Sequence, residues 1–171
     1  MAAFTTLTGN PWRGERGFLD AGEVSDAGTQ GAPDMSREEV VGFFEAYRDA
    51  FNSLNGDAVA ELWHVPSGIT DRRSTVWWTD DAPMRANHHA LCDIYRGLNY
   101  GRADPRITAF HPLGEDHAFA DVQWTLRRQD GSILQQFGTG YHLIRGPQGP
   151  QVLLCTAYEE DYKEMTPHAA V

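Results

Sequence analysis

Cysteine is nearly absent. Of 171 residues only Cys92 and Cys155 carry thiols, far apart and in no CxxC spacing. That argues against a disulfide framework or a cysteine-based zinc site, and makes a reducing cytosol the default compartment. Long apolar runs are missing too, none approaching the roughly 20 residues that span a bilayer. The N-terminal stretch MAAFTTLTGNPWRGERG has no basic region followed by an apolar one, so it does not read as a secretory signal. Positive charge is scarce: 14 Lys and Arg against 24 Asp and Glu leave a net charge of −10. The phosphates of nucleic acid and anionic membrane surfaces would repel such a chain. The motifs GxSxG, Walker A and GxGxxG do not occur, and Gly138-Thr139-Gly140 sits inside a strand pattern rather than before a helix. No cofactor is implied, and no internal repeat is visible.

The length suits one domain with a core of useful size, and 41% hydrophobic with 22% charged residues is ordinary for a soluble globular protein. Residues 1–35 lack any sustained period and read as a flexible or loosely docked extension, with Phe4, Trp12 and Phe18 able to pin it to the body. Ser36 caps a helix whose first turn carries Glu38 and Glu39. Val40, Phe43, Phe44, Tyr47, Ala50, Phe51 and Leu54 recur at three- and four-residue intervals, giving an aromatic face. Asn55-Gly56 ends this helix with a left-handed cap, and Asp57 starts a short second one that carries Val59, Leu62 and Trp63 inward until Pro66 stops it.

Short β-like runs follow at 67–70 and 75–79 around the polar turn Asp71-Arg72-Arg73-Ser74. Pro83 opens a third helix with Met84, His88, Leu91, Tyr95 and Leu98 as its stripe. After Gly101 strands are expected at 106–111, 118–128, 133–145 and 151–158, with Gln129-Asp130-Gly131 and a Gly-Pro-rich segment as turns. Three helices followed by an antiparallel meander indicate an α+β fold with the sheet wrapped over the helices.

The helix VVGFFEAYRDAFNSLN, the corner GDAVAELW, the third helix before RITAF, then AFADVQWTLRRQDGS, FGTGYHLIR and VLLCTAYEED carry a resemblance across residues 36–162. In order and length they resemble the nuclear transport factor 2-like superfamily, which includes ketosteroid isomerase and the polyketide cyclases. The resemblance implies a cystatin-like α+β roll: a bent, cone-shaped antiparallel sheet around three helices, a pocket at the open end, and dimers paired through the sheet. Residues 163–171 would be a C-terminal tail. By the same resemblance Asp71 falls where the isomerase has its catalytic aspartate. Its two oxyanion-stabilising partners do not line up, since Ala50 and Gly140 stand near their positions and Tyr47 lies one turn earlier.

Three residues are candidate catalysts. Asp71 is either a general base raised by burial or a turn aspartate bonding its own backbone, the commoner use in such a sequence. His64, at the expected helix end, either serves the last carbonyls or borders the pocket. His88 lies on the apolar stripe and is either a core histidine or an acid–base group; the adjacent His88-His89 pair lacks the i, i+4 spacing of a metal site. The inward aromatics Tyr47, Phe51, Trp63, Tyr95, Trp124 and Tyr141 are the candidate ligand-binding wall. In the strand at 118–128, Ala120, Val122, Trp124 and Leu126 should face the helices. Burial of the larger ring favours Tyr141 inward and His142 outward. Trp77-Trp78 must send one indole to each face. Two functions fit: an isomerase-, cyclase- or dehydratase-type enzyme for a small apolar molecule, or a non-catalytic binding or dimeric interaction module.

Overall fold

The computed structural model of the chain describes residues 33–158. What was expected of residues 1–32, and of the tail beyond 158, lies outside that range. Met35 already belongs to the body: it is buried, and its backbone N–H donates to the carbonyl of Gly114 at 3.4 Å.

Helix α1 spans Arg37–Asn52 and starts at a reciprocal capping box. The Ser36 hydroxyl accepts from the Glu39 N–H at 3.2 Å, and the Glu39 carboxylate accepts from the Ser36 N–H at 2.7 Å. Glu39 also pairs with Arg145, chiefly through a hydrogen bond that lowers its pKa and ties the helix start to the sheet. The apolar stripe is buried as the spacing predicts, from Val40 to Phe51.

The corner after α1 differs in detail from the expectation. Leu54, not Gly56, takes the left-handed conformation, at φ 49°. Helix α2 is Gly56–Ala60, and Asn55 caps it by accepting from the N–H groups of Asp57 and Ala58 at 3.1 and 3.2 Å. Gly56 is needed for close packing instead: a Cβ there would lie 2.7 Å from Nδ1 of His89. Trp63 and Pro66 are not helical. Both lie in strand β1, Trp63–Thr70, because α2 runs out at Ala60.

Strand β2, Thr75–Trp78, returns antiparallel to β1, and helix α3, Asp81–Gly97, follows. The strands β3 (Tyr100–Pro112), β4 (His117–Arg128), β5 (Ile133–Gly146) and β6 (Gly149–Tyr158) form the meander. One curved, unclosed sheet results, in the order β2-β1-β6-β5-β4-β3. The α+β class holds, but the sheet is mixed rather than wholly antiparallel, since β1 runs parallel to β6. The chain enters β1 from the helical corner and hairpins out to β2 at the sheet's edge. Register shifts that place an extra residue in β3, β5 and β6 bend the sheet.

The inner face carries the core. Ala118, Ala120, Val122, Trp124 and Leu126 of β4 are buried, and so are Phe137, Thr139, Tyr141 and Leu143 of β5, with His142 on the outer face. Trp78 is the inward indole; Trp77 is exposed and lies over Gly68, where a side chain would strike its ring.

Two glycine substitutions should move stability in opposite directions. Gly42, in the middle of α1, has open space around it, so Gly42→Ala should stabilise by about 0.5–1 kcal/mol through helix propensity. Gly56→Ala must displace the α3 backbone at His89 and should cost about 1–3 kcal/mol. Urea unfolding midpoints at unchanged slope measure both; a neutral Gly56→Ala would contradict the packing described.

Candidate functional site

Between the inner sheet face and helices α1 and α3 lies a cavity of about 310 Å³. All six aromatics expected in a ligand wall line it: Tyr47 and Phe51 from α1, Trp63 from β1, Tyr95 from α3, Trp124 from β4 and Tyr141 from β5. Exposed lining residues, Arg73, Ser74 and Ala90, mark the mouth between the β1–β2 turn and α3.

Two phenols form the polar centre. The Trp63 indole N–H donates to the Tyr47 hydroxyl at 3.3 Å, and the Trp124 indole N–H donates to the Tyr141 hydroxyl at 3.1 Å. The tyrosine rings are neighbours, 6.0 Å between centroids. Burial pushes both phenols well above their usual pKa, so both are neutral hydroxyls. Each oxygen already accepts from an indole, so its own hydrogen is left to be given to a neighbour in the wall or to a molecule in the cavity.

His88 enters from α3. It is only 2% exposed, with its ring 4.7 Å from that of Trp63 and 6.3 Å from that of Trp78. Among the described residues neither ring nitrogen has a hydrogen-bond partner. Burial lowers its pKa to about 4, with the nearby His89 and Arg85 acting in the same direction. It is therefore neutral near pH 7, with one N–H donor and one bare acceptor nitrogen.

Asp71 also borders the cavity, but its oxygens are engaged in the turn. One accepts from the backbone N–H groups of Arg73 and Ser74 at 2.6 and 2.7 Å; the other accepts from the Arg73 guanidinium at 3.2 and 3.3 Å. This is the local bonding that makes aspartate a turn residue. His64 does not line the cavity, and its Nδ1 lies 3.1 Å from the carbonyl oxygen of Pro66. The structure thus gathers His88, Asp71 and the six aromatics around one space and leaves His64 apart.

Sequence reasoning missed Thr139, Phe137, Cys155 and Tyr100 in the wall. Thr139 and Phe137 were within reach, because they alternate with Tyr141 on one strand face. Tyr100 stacks on Tyr95 at 5.3 Å, a contact that depends on how the chain leaves α3. Among the described residues no cluster of three or more His, Cys, Asp or Glu side chains could hold a metal ion, and no helix is long and apolar enough to cross a membrane.

Residues 37–160 match the family described as NTF2-like protein (DUF6841), and the chain belongs to that family. Its fold is shared by solved structures of low sequence identity. One is a domain of unknown function with a cystatin-like fold from Nostoc punctiforme, 12% identical at a TM-score of 0.58, covering 74% of this chain and 80% of that one. Another is a ketosteroid isomerase-like protein from Erwinia carotovora atroseptica, 15% identical at a TM-score of 0.53, covering 70% and 92%. A third is an NTF-2 like protein of unknown function from Shewanella oneidensis, 12% identical at a TM-score of 0.57, covering 70% and 96%. A search of the curated proteins finds no match. At these identities the solved structures speak for the fold alone.

The state of His88 gives stability a pH dependence. Its pKa is about 4 in the fold against 6.5 when unperturbed, so between those values the unfolded chain binds a proton that the folded chain refuses. Stability due to this residue is complete above about pH 6.5 and falls as the pH drops towards 4, by up to about 3 kcal/mol. Urea unfolding between pH 7.5 and 4.5 should show a steeper loss for the wild type than for His88→Gln. Parallel curves would contradict a buried, neutral imidazole.

Proposed function

We propose that this chain takes a small apolar molecule into its cavity and performs acid–base chemistry on it, of the isomerase, cyclase or dehydratase type. The observation that carries the reading is the polar centre inside the aromatic wall: two neutral phenols held by indole N–H donors, and a buried imidazole with neither nitrogen satisfied among the described residues. Neutral donors grouped in one wall can stabilise charge that develops on a carbonyl or hydroxyl oxygen, which is commonly the largest catalytic contribution. A neutral imidazole can polarise a carbonyl in the same way.

A second reading, ligand binding without catalysis, draws on Asp71. Its carboxylate is occupied by Arg73 and the turn N–H groups, so the one residue that matches the isomerase base by position is committed elsewhere. Pairing of two copies through the outer sheet face belongs to the proposal as well, supported by Phe119, 45% exposed there beside His142.

Thermal-shift screening of apolar metabolites separates the readings. A hit should be lost in Trp124→Ala, which empties part of the wall. Turnover of that hit should fall by about a hundredfold or more in Tyr141→Phe if the phenol is a transition-state donor. Binding without turnover, indifferent to Asp71→Asn, would leave only the binding reading.

A further inference from the structure

Among the described residues, the charged groups of the cavity wall lie at its mouth. They are Asp71 and Arg73, which face each other at 3.2 Å as an ion pair. Deeper in, the polar groups are neutral: the phenols of Tyr47 and Tyr141, the hydroxyl of Thr139 and the imidazole of His88. A carboxylate or ammonium drawn into that space would lose its hydration and meet no opposite charge, a cost of several kcal/mol. An uncharged oxygen would meet donors and an acceptor at once.

His88 makes the requirement sharper. Burying a polar atom without a partner costs about 1–3 kcal/mol, and among the described residues both nitrogens of His88 are in that state, closed off behind a cavity that the residue lines. A methyl or methylene group placed against it would leave the cost standing. A hydroxyl group would satisfy the nitrogen it meets whether or not that nitrogen carries the hydrogen, because it both donates and accepts. The imidazole sits between the rings of Trp63 and Trp78, and a ligand reaches one of its nitrogens as the ring tilts towards the cavity.

We propose, resting on the pocket reading above, that the ligand is an uncharged, largely apolar molecule bearing a hydroxyl group, and that His88 is the residue that selects for that group. The volume of about 310 Å³ is near the lower end of ligand pockets, which suits a molecule of one or two fused rings. Asp71 and Arg73 sit above it as a neutral pair at the entrance and give no purchase to a net charge.

The test uses the full chain and three probes of one shape: 2-naphthol, naphthalene and 2-naphthoate, titrated calorimetrically at pH 7.5. The first should bind about tenfold or more tighter than the other two, the worth of one hydrogen bond to a group otherwise left unsatisfied. His88→Leu should bring 2-naphthol down to the affinity of naphthalene without weakening naphthalene. His88→Gln, which keeps a donor and an acceptor, should retain part of the preference. If 2-naphthoate binds as tightly as 2-naphthol, or if His88→Leu keeps the preference, the inference fails and the pocket stands. If none of the three binds, the pocket reading falls and takes the inference with it. Should the leucine variant not fold, the wild-type comparison of 2-naphthol with 2-naphthoate decides.

Discussion

The structure depends on the contact between the aromatic face of α1 and the inner face of β4 and β5. Phe44 sets its ring 5.0 Å from Tyr141 and 6.3 Å from Trp124, while Tyr47 stands 6.0 Å from each of them. Large rings supply much of the buried area in a domain of this size, and their edge-to-face packing fixes the angle at which helix and sheet meet. Using tyrosine and tryptophan for that purpose has a chemical consequence. A buried phenol or indole must find a hydrogen-bond partner, and here each tyrosine finds an indole. The polar centre of the cavity is thus a product of the packing that holds the fold.

The parallel pairing of β1 with β6 sets the other side of the site. From Trp63 to Gly68 the chain advances five residues while β6 advances only from Val152 to Leu154. The surplus bulges out of the ladder. On one side of it Trp63 turns inward to Tyr47 and His88. On the other, Ile69 and the 71–74 turn reach the cavity mouth. A regular strand would have kept Trp63 or the turn in place, not both.

Where period decides the outcome, the sequence was readable. The stripe of α1, the alternation of β4 and the choice of Tyr141 over His142 follow from spacing and ring area, and the structure agrees with each. The corner was less readable, because Asn55, Gly56 and Asp57 are all plausible cap residues. What sorts them is the approach of His89 from α3, a contact distant in sequence. The parallel strand was invisible for a related reason: strand direction is settled by how the hairpin docks, and local pattern carries no trace of it. In the site, the aromatic wall was legible from the inward faces. The turn role favoured for Asp71 was legible too, and its oxygens do accept from the turn N–H groups; the state of His88 was not, since it depends on what the fold brings around the ring, and among the described residues neither nitrogen is given a partner.

That difference separates His88 from the other buried polar groups left unsatisfied. The Ser67 and Thr139 hydroxyls and one nitrogen of Gln135 also lack partners among the described residues. A few such atoms are normal in a domain of this size, and of these three residues only Thr139 lines the cavity. Ser67 and Gln135 point to no ligand, whereas Thr139 adds one hydroxyl to the wall that His88 shares. His88 concentrates two atoms unsatisfied among the described residues on one buried ring of a residue that lines the cavity. A leucine would have filled the same stripe of α3 without that penalty, so packing alone does not account for an imidazole there. A penalty that a bound hydroxyl group can relieve at one nitrogen is differential binding energy, present only when the right ligand is in the cavity.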